Sequence, residues 1–387
     1  MIRRTGVVIA AWLVGAALAC SKDGGGGPTG SSIPQSLASC SAAKDLFSQP
    51  PFAVSAISGW VPLGNLNPPA HTFPTDHQYI YLKSSQATPL VAPAKIVVTR
   101  VSATKYLTTA PFEDYAITFQ PCREVAAEFG HVRTLSATLA SQIGAIDQQC
   151  NTYSPAPGQT VTQCTSKRVA IIVEAGAPLG TASGLDLSLF DNRIAPIRFA
   201  NDARWQTNSD GFDHFHVVAF SDYYAEPARS AVRSVLGSFD GKTQRTVEPV
   251  GGTIATDVVG TAQGAWFFGS APTYPESPHL AIVPDNVTPT RIGVSVGTSH
   301  PNFAAQSYGF DPVTNGFANR DPSQVTVASG IVCWELNFFA GTGRVGAALV
   351  QLTDAKTLRV EIRPGESARC AAQQPYTFGP NAVTYTR

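Results

Sequence analysis

The sequence predicts an all-β, mainly antiparallel protein, and two observations carry that expectation. Short runs rich in valine, isoleucine, threonine and aromatic residues alternate with turn residues along most of the 387 positions. Glycine (33) and proline (29) are both frequent while methionine occurs once, and glycine and proline punctuate strands rather than fill helices. Beyond position 20 the chain holds six cysteines, an even number of the kind that staples exported, loop-rich proteins.

Taken in order, the strand-like runs of the first half are 78–82, 95–101, 114–119, 169–174, 185–190 and 214–219. Each is short, apolar or alternating, and bounded by turn residues. The segment 122–146 is less β-like. One helix is expected over 226–236, where Pro227 suits a first turn and alanine, arginine and valine follow. The β pattern then resumes at 253–258, 265–268, 279–283, 291–296, 324–328, 331–339, 346–352 and 357–363. Turn signals such as Asp240-Gly241 and Gly309-Phe310-Asp311-Pro312 separate these runs. The expectation is a β domain over 41–225, a connecting helix over 226–237 and a second β domain, a barrel or sandwich, over 238–387.

The start of the chain reads as an export signal. Arg3 and Arg4 precede an apolar run from Gly6 to Ala19, too short to cross a bilayer comfortably but suited to a signal peptide over 1–19. It ends in Ala17-Leu18-Ala19-Cys20, small residues before a cysteine, which resembles the bacterial lipobox. That resemblance implies cleavage before Cys20 and lipidation of its thiol. Ser21 rather than an aspartate follows, the pattern of outer-membrane sorting in a diderm organism. Residues 20–40 include four consecutive glycines and several serines, a flexible tether. The expected location is therefore the cell envelope, with the membrane as partner through the lipid.

With Cys20 assigned to lipid, Cys40, Cys122, Cys150, Cys164, Cys333 and Cys370 remain for disulfides. Several pairing schemes are open. Proximity in sequence favours Cys150–Cys164 and Cys333–Cys370, which leaves Cys40–Cys122. Charged residues are only 14%, and 27 basic side chains balance 27 acidic ones. No basic tract interrupts that balance, which argues against nucleic acid as a partner.

The densest polar cluster is His71-Thr72-Phe73-Pro74-Thr75-Asp76-His77, just before the 78–82 run. An imidazole and a carboxylate at a strand entry can converge on one cation, and a zinc site usually takes three such protein ligands. Further on come Phe129-Gly130-His131-Val132 and Asp213-His214-Phe215-His216. At strand spacing His214 and His216 would share one face. In the second half, Gly264-Ala265-Trp266 resembles the Gly-x-Trp start of lipocalin-like barrels, with a tryptophan plugging the barrel end as the simpler reading.

The order of these features resembles the lysostaphin-type zinc endopeptidases, which have the duplicated hybrid motif fold. His71 and Asp76 are followed by Ala92-Pro93, by Phe129-Gly130-His131-Val132, and by Gly176-Ala177-Pro178-Leu179-Gly180-Thr181-Ala182-Ser183-Gly184. The resemblance covers roughly 71–191. It implies His71 and Asp76 as metal ligands, with one residue more between them than the family usually has, and His131 as a histidine assisting catalysis. The family's closing His-x-His is absent: Leu185-Asp186-Leu187 occupies that strand. The chain is accordingly expected to be a cell-envelope lipoprotein with a non-catalytic peptidase-like domain, holding no cofactor and binding peptidoglycan or another envelope component. The alternative is a zinc-dependent cell-wall endopeptidase.

Overall fold

The computed structural model describes residues 37–107, 111–146, 149–154, 160–166, 168–205, 214–339, 343–370 and 375–387. Cys20, the export signal and most of the tether lie outside the described residues. The fold is all-β and mainly antiparallel, a large sheet followed by a closed barrel.

The sheet takes its strands from the first half: β1 (Ile57–Val61), β2 (Gln78–Leu82), β3 (Thr88–Val91), β4 (Ile96–Tyr106), β5 (Phe112–Cys122), β6 (Val125–Leu135), β7 (Gln149–Tyr153), β8 (Val161–Thr165), β9 (Ile171–Val173) and β10 (Pro178–Asp191). Their spatial order is β1-β2-β10-β6-β5-β4-β8-β7, with β3 on β10 and β9 on β4. Strand β10 is therefore interior, flanked by β2 and β6. Strand β10 shows why it lies there. Leu185, Leu187 and Leu189 alternate along it and are 2% exposed or less, packed with Phe119, Phe129 and Phe220 in one apolar core. Asp186, between two of them, points the other way, as the two-residue period of a strand requires.

Segment 122–146 corrects the sequence reading, because it holds the long strand β6 and a short helix α1 (Ala137–Ile143). Ser136 caps that helix by accepting a hydrogen bond from Leu139 N at 3.2 Å. The run at 214–219 is not a strand either: His214–His216 forms a 3-10 turn. The run at 253–258 belongs to no strand, and 324–328 meets the two 3-10 turns Pro322–Gln324 and Val327–Ser329. The helix expected over 226–236 is shorter, α2 (Ala228–Arg233), with Pro227 at its N-cap. Apolar composition suggests strands at 214–219, 253–258 and 324–328, but these segments pack against neighbours and form no strand, the first making only an isolated bridge from Val217 to Phe190.

The barrel comprises β11 (Gly264–Phe268), β12 (Leu280–Pro284), β13 (Ile292–Val296), β14 (Gln306–Phe310), β15 (Val332–Phe338), β16 (Arg344–Asp354), β17 (Thr357–Pro364) and β18 (Val383–Thr386), each paired antiparallel to the next. It closes where Phe267 of β11 meets Thr386 of β18. Trp266, Phe310, Trp334 and Leu336 alternate inward with Leu280, Ile282, Val294 and Val350, all 2% exposed or less. Eight strands leave an interior about wide enough for side chains, and these side chains fill it. Trp266 donates from Nε1 to Ala262 O at 2.9 Å, and the Arg387 guanidinium lies 3.9 Å from its ring centre.

The disulfides are Cys40–Cys122, Cys150–Cys164 and Cys333–Cys370, the pairing that sequence proximity favours. Cys150 and Cys164 are directly opposite on β7 and β8. Three such bonds indicate an oxidising, extracytoplasmic setting. No helix among the described residues is long and apolar enough to cross a membrane.

Residues between β10 and β11 pack on both units. Phe199, Trp205 and Val217 from this stretch join Leu63 and Phe73 of the sheet unit with Phe267, Ala281 and Val283 of the barrel in one apolar cluster. The seam is thus a core in its own right.

Candidate functional site

The loop leading into β2 is tied down before its side chains are considered. Asn67 and His71 exchange backbone hydrogen bonds at 2.9 Å, and Thr75 N donates to Asn65 O at 3.0 Å. Phe73 is the plug: 1% exposed, its ring stacks on His279 at 4.9 Å and meets Phe267 at 4.9 Å. Its backbone N–H donates to Glu276 Oε2 at 2.8 Å. A barrel carboxylate therefore holds the loop that carries His71, Asp76 and His77.

Asp186 stands opposite Tyr79 of β2 on one side and Gly130 of β6 on the other. A Cβ at position 130 would come within 3.3 Å of the Asp186 Cβ, so glycine leaves the carboxylate room. The β6–β10 register slips beside this pair: Gly130 faces Asp186 and Val132 faces Ala182, leaving His131 alone against three residues. His131 takes φ of 61°, a left-handed conformation uncommon outside glycine and a form of strain that gathers at functional sites.

These elements produce a line of alternating acids and imidazoles. Asp114 Oδ2 lies 2.7 Å from His131 Nδ1, and His131 Nε2 lies 3.4 Å from Asp186 Oδ2. The same oxygen is 3.6 Å from His77 Nε2, whose Nδ1 is 2.9 Å from Asp76 Oδ1. Asp76 Oδ2 is 3.3 Å from His214 Nε2, which meets the Tyr274 hydroxyl at 2.8 Å. His71, 5% exposed, sets its ring edge-on to His77 at 5.1 Å. The line meets solvent at His131, whose side chain is 27% exposed, and at Asp76, 22% exposed.

The charges follow from this order. Burial disfavours an imidazolium at His131, but Asp186 and Asp114 outweigh it and hold the pKa well above the usual histidine value. The same balance raises His77, where Asp76 and Asp186 offset burial. Burial would raise Asp76, yet His214, His77 and His71 hold it below the ordinary carboxylate range. Asp186 is lowered likewise, burial being outweighed by His131 and His77. Glu276 is the exception: burial pushes it well above a normal carboxylate.

Sequence reasoning named His71, Asp76 and His131, and the structure places all three along this line. Two further readings need correction. Leu185 and Leu187 do not occupy the positions from which imidazoles would close the site, because both point into the core and Asp186 is the β10 residue facing His77 and His131. His214 and His216 do not form a strand pair; His214 reaches Asp76 from a 3-10 turn. Asp114, Glu276 and Tyr274 were not anticipated. The signal for Asp186 was present, a lone acid alternating with leucines along an apolar run.

No family model, curated protein or solved structure matches this chain.

Zinc, which the resemblance implies, does not fit the side chains as they stand. Asp76 has an imidazole at each oxygen, and His131 has a carboxylate at each ring nitrogen. Among the described residues no three His, Cys, Asp or Glu side chains form a group able to hold a metal ion. A catalytic zinc needs three protein ligands and an open position. The arrangement instead pairs its acids and imidazoles with one another.

Proposed function

We propose that this protein is an exported envelope lipoprotein, anchored through Cys20, whose first β unit binds an envelope component, peptidoglycan being the first candidate, without cleaving it. One observation carries the non-catalytic part of the reading. Asp186 lies between His131 and His77, so both the partly exposed and the buried imidazole are committed to acids of the same site. A histidine clamped this way is poorly suited to act as a general base near neutral pH, since its proton is held too tightly. The three disulfides support export. The Ala17-Leu18-Ala19-Cys20 sequence supports the anchor.

Sedimentation with purified peptidoglycan tests the reading, with dye release from labelled cell wall measured in parallel. Co-sedimentation without release is expected, and Cys20→Ala should move the protein out of the membrane fraction. Release of soluble fragments by the wild type, lost in His71→Ala, would establish the zinc endopeptidase alternative instead.

A further inference from the structure

A second polar site lies away from the histidines, where the sheet unit, the connecting stretch and the barrel meet. It is a pocket of about 270 Å³, and Leu63, Arg245, Ala255, Gln263, Pro284 and Asp285 are among the residues lining it. Seams between folded units are common positions for small-molecule sites.

Arg245, only 5% exposed, is fixed by two backbone carbonyls: Nε donates to Pro249 O at 2.9 Å and Nη1 to Asn286 O at 2.8 Å. Its Nη2 has no hydrogen-bond partner among the described residues. Asp285 commits Oδ1 to the turn that follows, accepting from Val287 N at 2.8 Å and from Thr288 N. Its Oδ2 carries no such bond among the described residues. Gln263 donates from Nε2 to Thr256 O at 2.7 Å, which turns its Oε1 into the remaining acceptor. The third charged residue on the wall, Asp257, is already spent, with Oδ1 on Ala265 N and Oδ2 on Ala200 N, both at 2.8 Å.

Arg245 and Asp285 thus line one small pocket with opposite charges, and no direct ion pair joins them. Each is held by backbone contacts that keep it from swinging to the other. Leu63, Ala255 and Pro284 supply apolar wall in the same pocket. A molecule bearing both charges on a short frame answers this pattern better than a simple anion or cation. We propose that the pocket binds a small free α-amino acid as its zwitterion, with the carboxylate on Arg245 and the ammonium between Asp285 and Gln263. The confined volume and apolar wall select a short aliphatic side chain.

Isothermal titration of the full-length protein with L-alanine and L-valine tests this, with propionate and propylamine as single-charge controls. Saturable binding of at least one amino acid is expected, with each control weaker by about tenfold or more. Asp285→Asn keeps the turn acceptor and removes the charge. Ala255→Phe, at an exposed position, fills the pocket without entering the core. Both variants should weaken binding by about tenfold or more, and Ala255→Phe decides the matter if Asp285→Asn does not fold. Absence of saturable amino-acid binding, equal affinity for propionate or propylamine, or wild-type affinity in Ala255→Phe would overturn the proposal.

Discussion

His131 Nε2 and Asp186 Oδ2 stand 3.4 Å apart, brought together by a register slip that leaves His131 at φ of 61° beside the Gly130–Asp186 pair. The strained backbone turns the imidazole so that Nδ1 meets Asp114 while Nε2 faces Asp186. A position held against backbone preference on two sides is over-determined by its neighbours, and those neighbours are acids.

Asp186→Asn should therefore act on both histidines at once. The amide preserves shape but removes the charge that holds His131 and His77 protonated. The His131 pKa, followed by NMR, is expected to fall toward the ordinary histidine value, and urea unfolding at pH 6 should show a loss of about 1.5–3 kcal/mol. An unmoved His131 pKa would mean that Asp114 alone sets it.

Stability should depend on pH in a direction the site dictates. His131 and His77 have raised pKa values, so their contribution is complete below the unfolded value near 6.5 and is lost as pH rises through the folded one. Asp76 and Asp186 are lowered, so theirs is present above the unfolded value near 3.8 and is lost as pH falls through the folded one. Both sets are in place between about pH 4 and 6.5. Denaturation midpoints should be higher at pH 5.5 than at pH 8, and His131→Gln should reduce the difference. A midpoint that climbs steadily from pH 5.5 to pH 8 would contradict the charge assignment.

Glu276 adds to the loss of stability with rising pH from across the seam. Its raised pKa means that ionising it in the folded protein costs stability as pH rises above the ordinary carboxylate value. Glu276→Gln keeps an acceptor for Phe73 N and removes that cost, so it should flatten the fall in stability as pH rises above the ordinary carboxylate value. Glu276→Ala leaves a buried N–H unpaired and should cost about 1–3 kcal/mol. If Gln and Ala are equally damaging at pH 5.5, the carboxylate does not hold the loop as described.

The β class was legible because its signals are local: alternating leucines in β10, valine-rich runs in β4 and β13, and turn residues between them. Two disulfides were legible from proximity, since a close pair such as Cys150 and Cys164 falls naturally across one hairpin, and Cys40–Cys122 followed by elimination. The site was legible only in part. His71, Asp76 and His131 are ordinary markers of polar chemistry, but Asp114 reaches His131 through strand pairing, and Tyr274 and Glu276 arrive from the barrel over long chain separations. The misjudged run at 214–219 shows the same limit. Its apolar residues are satisfied by packing at the seam, and composition does not distinguish that from pairing in a sheet.

The most direct measurement is the zinc content of protein purified from the envelope without chelators, determined by inductively coupled plasma mass spectrometry. Because Asp76, His77, His131 and Asp186 are spent on one another, the wild type should retain far less than one zinc per chain, and His71→Ala should not change the amount. Close to one zinc per chain in the wild type, lost in His71→Ala, would contradict the account.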